Sequence, residues 1–107
     1  MDKVAMISMP MNGLTDEEMN KNFNKAKSFL EQFGYKVIDT VFSGSDFSEN
    51  TLEIKHIKQR GVYFIAKSLE AMSYCDVVYF CKGWKNARGC QIEHQVAKNY
   101  NVGILYE

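Results

Sequence analysis

Glu93 is the side chain whose position in the sequence most favours chemistry. An apolar run at residues 77–81 is typical of a buried strand, and a helical pattern begins soon after it. Glu93 falls in the first turn of that helix, on or beside the apolar stripe that should face a sheet. Open α/β sheets bind ligands beyond the carboxyl ends of their strands, so this carboxylate is predicted to line a ligand site. A glutamate there can attack the anomeric carbon of a sugar and form a covalent glycosyl intermediate. The alternative is that Glu93 only stabilises its helix through the dipole.

A second possible chemistry involves a thiol. Cys90 and His94 are four residues apart and therefore share a helix face. A thiol near a helix N-terminus and an imidazole can form an activated nucleophile. The alternative is a small buried thiol beside a partly exposed histidine. A metal site built from these two residues and Cys81 lacks the paired spacing of known zinc motifs, so no metal is expected.

Two turns should meet at the same edge of the sheet, at residues 9–14 and 82–89. Each leads into a helix N-terminus, where free backbone N–H groups and the helix dipole favour an anionic ligand group. No phosphate-loop fingerprint is present, and the alternative is that glycine and asparagine simply make these turns. Trp84 could stack on a planar base, or it could be a core aromatic residue.

Two other features have simpler structural explanations. Asp76, at the start of the buried strand, is expected to cap or hydrogen-bond a neighbouring segment. His56, Lys58 and Arg60 could contact a phosphate, but they also fit a solvated basic face.

The elements that position these residues alternate between strands and helices. Strands are predicted at residues 3–8, 35–39, 77–81 and 102–106. A first helix should begin after Thr15, which forms a capping box with Glu18, and it should end before Gly34. Its apolar stripe comprises Met19, Phe23, Ala26, Leu30 and Phe33. A second helix should run from Val62 with the stripe Ile65, Leu69 and Met72, and the third should bury Ile92, Val96, Ala97 and Tyr100.

Residues 40–61 are predicted to form a mobile segment, with a short helix, that folds over the crevice. This order implies an α/β fold whose parallel sheet of about four strands has helices on both faces.

Composition restricts the classes of function. A chain of 107 residues fits one domain, residues 1–107, and thirteen basic residues balance thirteen acidic ones. This balance predicts neither a nucleic acid polymer nor a membrane surface as partner. The polar N-terminus does not resemble a signal peptide, and an odd number of cysteines favours reduced thiols and a cytoplasmic location. A sheet this small leaves faces to cover, so a homodimer or a higher homo-oligomer is expected.

Three segments of the sequence carry a resemblance to a known family. ISMPMNG, LEAMSYCDVVYF and GWKNARGCQIEHQVAKNYNV resemble the nucleoside 2-deoxyribosyltransferase-like superfamily, in particular its small members of unknown function, the DUF4406 group. The resemblance implies a small flavodoxin-like or Rossmann-like three-layer sandwich, assembled as oligomers with sites near the subunit contacts. It implies cleavage of the N-glycosidic bond of a nucleoside or nucleotide, without metal or cofactor, and transfer of the sugar to water or another base. The catalytic glutamate of the family falls on Glu93. The expected substrate-binding residues are Ser8, Pro10, Met11, Asn12, Gly13, Trp84, Asn86 and Gly89.

The chain departs from that family at three supporting positions. Enzymes of the superfamily carry an aspartate at the position of Ser68, an aspartate or serine at Ala87, and an aromatic residue at Ala5. A nucleophile without its polar support is poorly oriented, and orientation can supply up to about 7–11 kcal/mol of a barrier. Two functions are therefore expected: N-glycosidic cleavage or 2-deoxyribosyl transfer, or a non-catalytic nucleotide-binding module on the same fold.

Overall fold

The computed structural model describes residues 2–38 and 49–107. Strands and helices alternate along the chain almost as the sequence predicts. The strands are β1 (Lys3–Ser8), β2 (Tyr35–Ile38), β3 (Val77–Phe80) and β4 (Gly103–Tyr106). The helices are α1 (Asp16–Gln32), α2 (Glu49–Ile54), α3 (Arg60–Met72) and α4 (Arg88–Asn99), and a 3₁₀ turn covers Trp84–Asn86.

The four strands form one parallel sheet in the order β2-β1-β3-β4. Ala5 of β1 pairs with Val77 of β3, and Ser8 pairs with Phe80, so these two central strands end at the same edge. The chain leaves β1 toward β2 on one side and leaves β3 toward β4 on the other. The order therefore reverses between β1 and β3, which is where open α/β sheets form their ligand crevice.

Helices cover both faces of the sheet, as a three-layer α/β sandwich requires. Successive strand residues point to opposite faces, and the two cores follow this alternation. One face packs against α1 through Ala5, Ile7 and Tyr79 of the strands, Cys81 just after β3, and Phe23, Ala26 and Leu30 of the helix. The other packs against α3 and α4 through Met6, Val78, Phe80, Met72 and Ala97. The predicted small flavodoxin-like or Rossmann-like fold is confirmed.

Helix α1 begins and ends where local sequence signals place it. Thr15 is the N-cap, and its hydroxyl accepts the Glu18 backbone N–H over 3.1 Å while donating to the Glu18 carboxylate. After the helix, Gly34 has φ +85°, a conformation that glycine adopts without strain. Phe33 does not join the buried stripe and is 68% exposed, because it lies in the cap beyond the last helical turn.

The buried faces of α3 and α4 differ from the predicted stripes. Cys90, Glu93 and Ala97 are the buried residues of α4, whereas Ile92 is 39% and Tyr100 78% exposed. Ala97 is common to the predicted and the observed face, so the helix is rotated about its axis by roughly one residue, or about 100°, from the prediction. The buried residues of α3 are Ser68 and Met72, and Val62 lies at the exposed start of the helix.

The middle of the chain contains the predicted short helix, α2. The expected end of the second strand at Asp39 and the segment of residues 39–48 lie outside the described residues. Closure of this segment over the crevice stays a prediction. In the described part of the chain, no helix combines the length and apolar character needed to cross a bilayer.

Candidate active site

A cleft of about 710 Å³ opens at the carboxyl edge of the sheet, between the loop after β1 and helices α3 and α4. We call it the Glu93 cleft. Its lining residues come from three parts of the chain: Met9, Pro10, Met11 and Asn12; Gln59, Gly61, Val62, Phe64 and Ile65; and Asn86, Ala87, Arg88, Gly89, Cys90, Ile92 and Glu93. Mostly apolar walls with a few polar groups are typical of small-molecule sites.

Glu93 lies at the inner wall of this cleft, and the residue is only 7% exposed. Ser8, at the end of β1, donates its hydroxyl to Glu93 Oε1 over 2.8 Å. Ser8 has the same strand parity as Met6, so it faces the α3–α4 layer, where Glu93 lies. Ser68 of α3 is buried and lies close enough to the Glu93 side chain to lower its pKa. Three elements thus converge on one buried acid.

Burial raises the pKa of Glu93 from 4.5 to about 7, while the hydrogen bonds from Ser8 and Ser68 act in the opposite direction. Near neutral pH both the acid and the carboxylate are therefore populated. A group with this pKa can serve as a nucleophile or as a proton donor without a large energetic penalty. Perturbed carboxylates in clefts are characteristic of functional sites.

The structure brings most of the predicted ligand-binding residues to the same place. Pro10, Met11, Asn12, Asn86 and Gly89 all line the Glu93 cleft. Gly89 faces α3, where an added Cβ would lie 3.4 Å from Ile65 Cδ1.

Two further predicted residues support the cleft without lining it. Ser8 is buried beneath it and contacts Glu93, and Gly13 makes the turn into α1 with φ +80°.

The N-terminus of α4 forms the end of the cleft nearest the 3₁₀ turn. Its N-cap, Ala87, provides no side-chain hydrogen bond, and the first turn carries the cationic Arg88 and no acidic residue. Residues 87–90 all line the cleft. Free backbone N–H groups, the helix dipole and a guanidinium together favour an anionic group of a ligand at this end.

Trp84 belongs to an aromatic cluster and is absent from the described lining of the cleft. Its ring stacks on His94 with centroids 4.1 Å apart and on Tyr106 at 5.7 Å. His94 Nε2 is in turn 2.7 Å from the Tyr106 hydroxyl. These contacts favour the interpretation of Trp84 as a core aromatic residue.

The thiol of Cys90 does not have the surroundings of an activated nucleophile. Burial raises the pKa of the thiol, and the nearby Ser8 hydroxyl, which acts in the opposite direction, donates to Glu93. His94 is hydrogen-bonded to Tyr106 and not to the thiol. Burial, together with Lys98 and Lys85, lowers the pKa of His94. Within residues 2–38 and 49–107, no three His, Cys, Asp or Glu side chains are grouped to hold a metal ion.

Two other polar residues have structural partners away from the cleft. Asp76 Oδ2 accepts the Val4 backbone N–H over 2.7 Å, which joins the amino ends of β1 and β3 and confirms the hydrogen-bonding interpretation. Arg60 forms a two-pronged ion pair with Glu49, with N–O distances of 2.6 and 2.7 Å, which links α2 to α3. Both lie outside the lining of the cleft.

Sequence reasoning missed the role of Ser68 as a partner of Glu93. The signal was present, because Ser68 is a polar residue between Ile65 and Leu69 on the apolar face of α3. It also missed Arg88, Gln59 and Phe64 as lining residues. Their side chains meet only after α3 and α4 pack side by side.

A second cleft of about 820 Å³ lies on the α1 side of the same loops. It shares Met9, Pro10, Asn12 and Asn86 with the Glu93 cleft, and its polar groups include Lys25, Lys82 and Glu107. Lys25 Nζ and Glu107 are already paired at 3.8 Å. Of these two clefts, we place the candidate site in the Glu93 cleft, because it contains a buried carboxylate that accepts a hydrogen bond from Ser8.

Comparisons with known proteins identify the family and nothing finer. Neither the curated proteins nor the solved structures contain a match to this chain. The model of one family, described as a domain of unknown function (DUF4406), matches residues 3–106, which include the whole sheet and every residue of the Glu93 cleft. The chain belongs to the DUF4406 family.

Proposed function

We propose that this chain is a nucleoside 2-deoxyribosyltransferase-like enzyme that cleaves the N-glycosidic bond of a nucleoside or nucleotide, with Glu93 as the nucleophile. The observation that carries the proposal is the Glu93 carboxylate itself. It is buried, hydrogen-bonded by Ser8, and placed on the wall of a cleft at the point where the strand order reverses.

The reaction follows from the chemistry of a carboxylate at an anomeric carbon. A Glu93 oxygen attacks C1′, and a glycosyl ester forms as the C1′–N bond breaks. The leaving base takes a proton from solvent or from a nearby group. Water or a second base then attacks C1′ and releases Glu93, so the net result is hydrolysis or sugar transfer. These steps involve no cofactor.

The surroundings of Glu93 suggest how the rest of the substrate is held. The apolar wall of Val62, Phe64 and Ile65 suits a planar base, and the amides of Asn12 and Asn86 can bond to sugar hydroxyls. A 5′-phosphate would fit the uncapped N-terminus of α4 beside Arg88. We propose a small nucleotide as ligand, acted on by a cytoplasmic homo-oligomer.

The test is chromatographic detection of free base from 2-deoxynucleosides and their 5′-monophosphates, with and without an acceptor base. Glu93→Ala and Glu93→Gln should lower the rate by on the order of 10³-fold. Glu31→Gln, which changes an exposed carboxylate on α1, should leave the rate unchanged.

Because burial raises the pKa of Glu93 to about 7, kcat/KM should rise with pH through about 7 if the carboxylate is the reactive form. Base release that survives Glu93→Ala removes this residue from the mechanism.

A non-catalytic nucleotide-binding module is the second candidate. The residues that support Glu93 favour this candidate. Position 68 is a serine and position 87 an alanine, so in the described residues this support consists of hydroxyl groups. Thermal-shift measurements separate the two proposals. A nucleotide that raises the Tm but is recovered intact indicates binding without turnover.

A further inference from the structure

The second cleft, on the α1 side of the loop after β1, is larger than the Glu93 cleft and does not contain Glu93. Its apolar side is formed by Ala26 and Phe29 of α1 and by Tyr79 of β3. The rings of Phe29 and Tyr79 are in contact, with centroids 5.6 Å apart, and Phe29 is 44% exposed. An exposed aromatic surface inside a cleft offers a planar ligand ring a stacking partner.

The hydroxyl of Tyr79 is a buried donor without a partner among the described residues. Tyr79 is only 5% exposed and lines the second cleft. Its side chain makes the ring contact with Phe29 but no hydrogen bond to another described residue. Buried tyrosine hydroxyls usually find a hydrogen-bond partner. Burial and, after it, the charge of Glu107 raise the pKa of Tyr79, so the hydroxyl keeps its proton at neutral pH and can donate to a ligand.

One position in the second cleft already holds a carboxylate. Glu107, just after β4, accepts the Lys82 backbone N–H at Oε1 over 2.7 Å, and its Oε2 is 3.8 Å from Lys25 Nζ. All three residues line the cleft. The side chain of Lys25 is 80% exposed, so the ion pair is weak and the carboxylate can be displaced. A backbone amide and an ammonium group are suitable donors for any oxyanion.

The charge of the second cleft also favours an anion. Lys25 and Lys82 are the cations among the described lining residues, and Glu107 is the acid among them. The ammonium group of Lys82 has no ion pair with a described residue. An oxyanion that takes the place of the Glu107 carboxylate therefore meets two ammonium groups and one backbone N–H.

We propose that the second cleft is a binding site for a planar aromatic molecule that carries an oxyanion, either a carboxylate or a phosphate ester. The ring lies against Phe29, a polar ring substituent accepts the Tyr79 hydroxyl proton, and the oxyanion replaces Glu107 on the Lys82 backbone N–H and on Lys25. The site is separate from Glu93 and does not rest on the proposed function.

The test is a ¹H–¹⁵N NMR titration of the whole chain with 4-nitrobenzoate, 4-nitrophenyl phosphate, 4-nitrobenzyl alcohol and inorganic phosphate. At least one aromatic anion should bind about tenfold or more tighter than the neutral alcohol and inorganic phosphate, because ring and charge each add contacts. The backbone amide of Lys82 should shift on binding, and the tighter of the two anions identifies the oxyanion group. Equal binding of inorganic phosphate would show only a surface counterion and overturn the proposal, as would no binding of either aromatic anion at millimolar concentration.

Variants of the lining test each contact. Tyr79→Phe and Lys82→Gln should each weaken binding by about 3–10-fold, because each removes one donor to the ligand. Glu107→Gln should strengthen binding, because it removes the charge that competes for the same donors. Lys21→Gln is the matched control, since Lys21 is an exposed lysine of α1 outside the described lining, and it should leave the Kd unchanged. Tyr79→Phe loses a hydroxyl without a described partner, so its Tm should not fall.

Arg88→Gln separates the second cleft from the Glu93 cleft. Arg88 lines the Glu93 cleft and is absent from the described lining of the second, so this variant should bind the aromatic anion as the wild type does. Weaker binding in Arg88→Gln, together with unchanged binding in Tyr79→Phe and Lys82→Gln, would place the anion in the Glu93 cleft and overturn the proposal. These measurements need no turnover, so their outcome is independent of whether the chain cleaves a glycosidic bond.

Discussion

Burial of the Glu93 carboxylate lowers the free energy of unfolding at neutral pH. Its pKa is 4.5 in the unfolded chain and about 7 in the folded protein, because burial disfavours the charged form. The folded state therefore binds more protons than the unfolded state between these values. The stabilising contribution is fully present below about pH 4.5 and is lost as the pH rises through about 7.

Glu93→Gln should remove this pH dependence, because an amide keeps the volume and hydrogen-bonding capacity but never ionises. The free energy of unfolding of the variant should exceed that of the wild type at pH 8, by about 3 kcal/mol at most, and the two should converge near pH 4.5. Urea unfolding at several pH values measures the difference. Glu31→Gln should follow the wild-type curve at every pH. A constant offset between Glu93→Gln and wild type would show that Glu93 does not titrate in this range.

The burial of Glu93 could be predicted from the sequence, whereas its contact with Ser8 could not. Placement of Glu93 on the inner face of its helix followed from local spacing, and the structure confirms the burial. Its partner Ser8 is 85 positions away in the sequence. That contact depends on the strand parity of β1, the neighbouring position of β3, and the rotation of α4 about its axis. No local pattern encodes all three.

Elements whose ends are fixed by local chemistry were predicted most closely. Helix α1 begins at the Thr15 cap and stops before Gly34, because both signals act through backbone groups a few residues away. The predicted buried face of α4 differs from the observed one. Ile92 and Tyr100 fit the spacing of a helix as well as the buried residues do, although both are exposed. Which stripe packs inward depends on contacts with the sheet and with α3, which are distant in the sequence.

Gly103 illustrates a packing constraint within the sheet. A Cβ at this position would lie 2.8 Å from both the Asp76 carbonyl oxygen and Val77 Cγ1. Gly103→Ala should therefore force β3 and β4 apart and lower the free energy of unfolding by about 1–3 kcal/mol. Urea unfolding followed by circular dichroism measures the loss.

The matched control for that substitution is Gly61→Ala. Gly61 lies in the first turn of α3, and an added Cβ would have no atom within 4 Å. This variant should be neutral or more stable by up to about 1 kcal/mol, because alanine restricts the unfolded chain and favours helix. Equal effects at both positions would show that the contact at Gly103 relaxes freely.

At the scale of the whole molecule, the protein has zero formal charge and several exposed large apolar side chains. A net charge near zero does not oppose self-association. Val62 and Ile92, from α3 and α4, are exposed at the rim of the Glu93 cleft. A second copy packed over this rim would bury them and complete the wall of the cleft, in keeping with the expected homo-oligomer.

We therefore predict that the chain is a dimer through its α3–α4 face, and that Val62→Glu shifts it toward monomer, because a glutamate at an apolar contact must be desolvated. Phe33→Glu is the matched control, since Phe33 is also 68% exposed but lies at the end of α1, which packs on the opposite face of the sheet from α3 and α4. Sedimentation equilibrium over a range of concentrations measures the mass of each variant, and circular dichroism checks that the fold is kept. The Val62 variant should also bind nucleotide more weakly, because Val62 is part of the apolar wall proposed to hold the base. A wild type that is monomeric throughout, or a dimer disrupted by Phe33→Glu and not by Val62→Glu, would place the contact elsewhere.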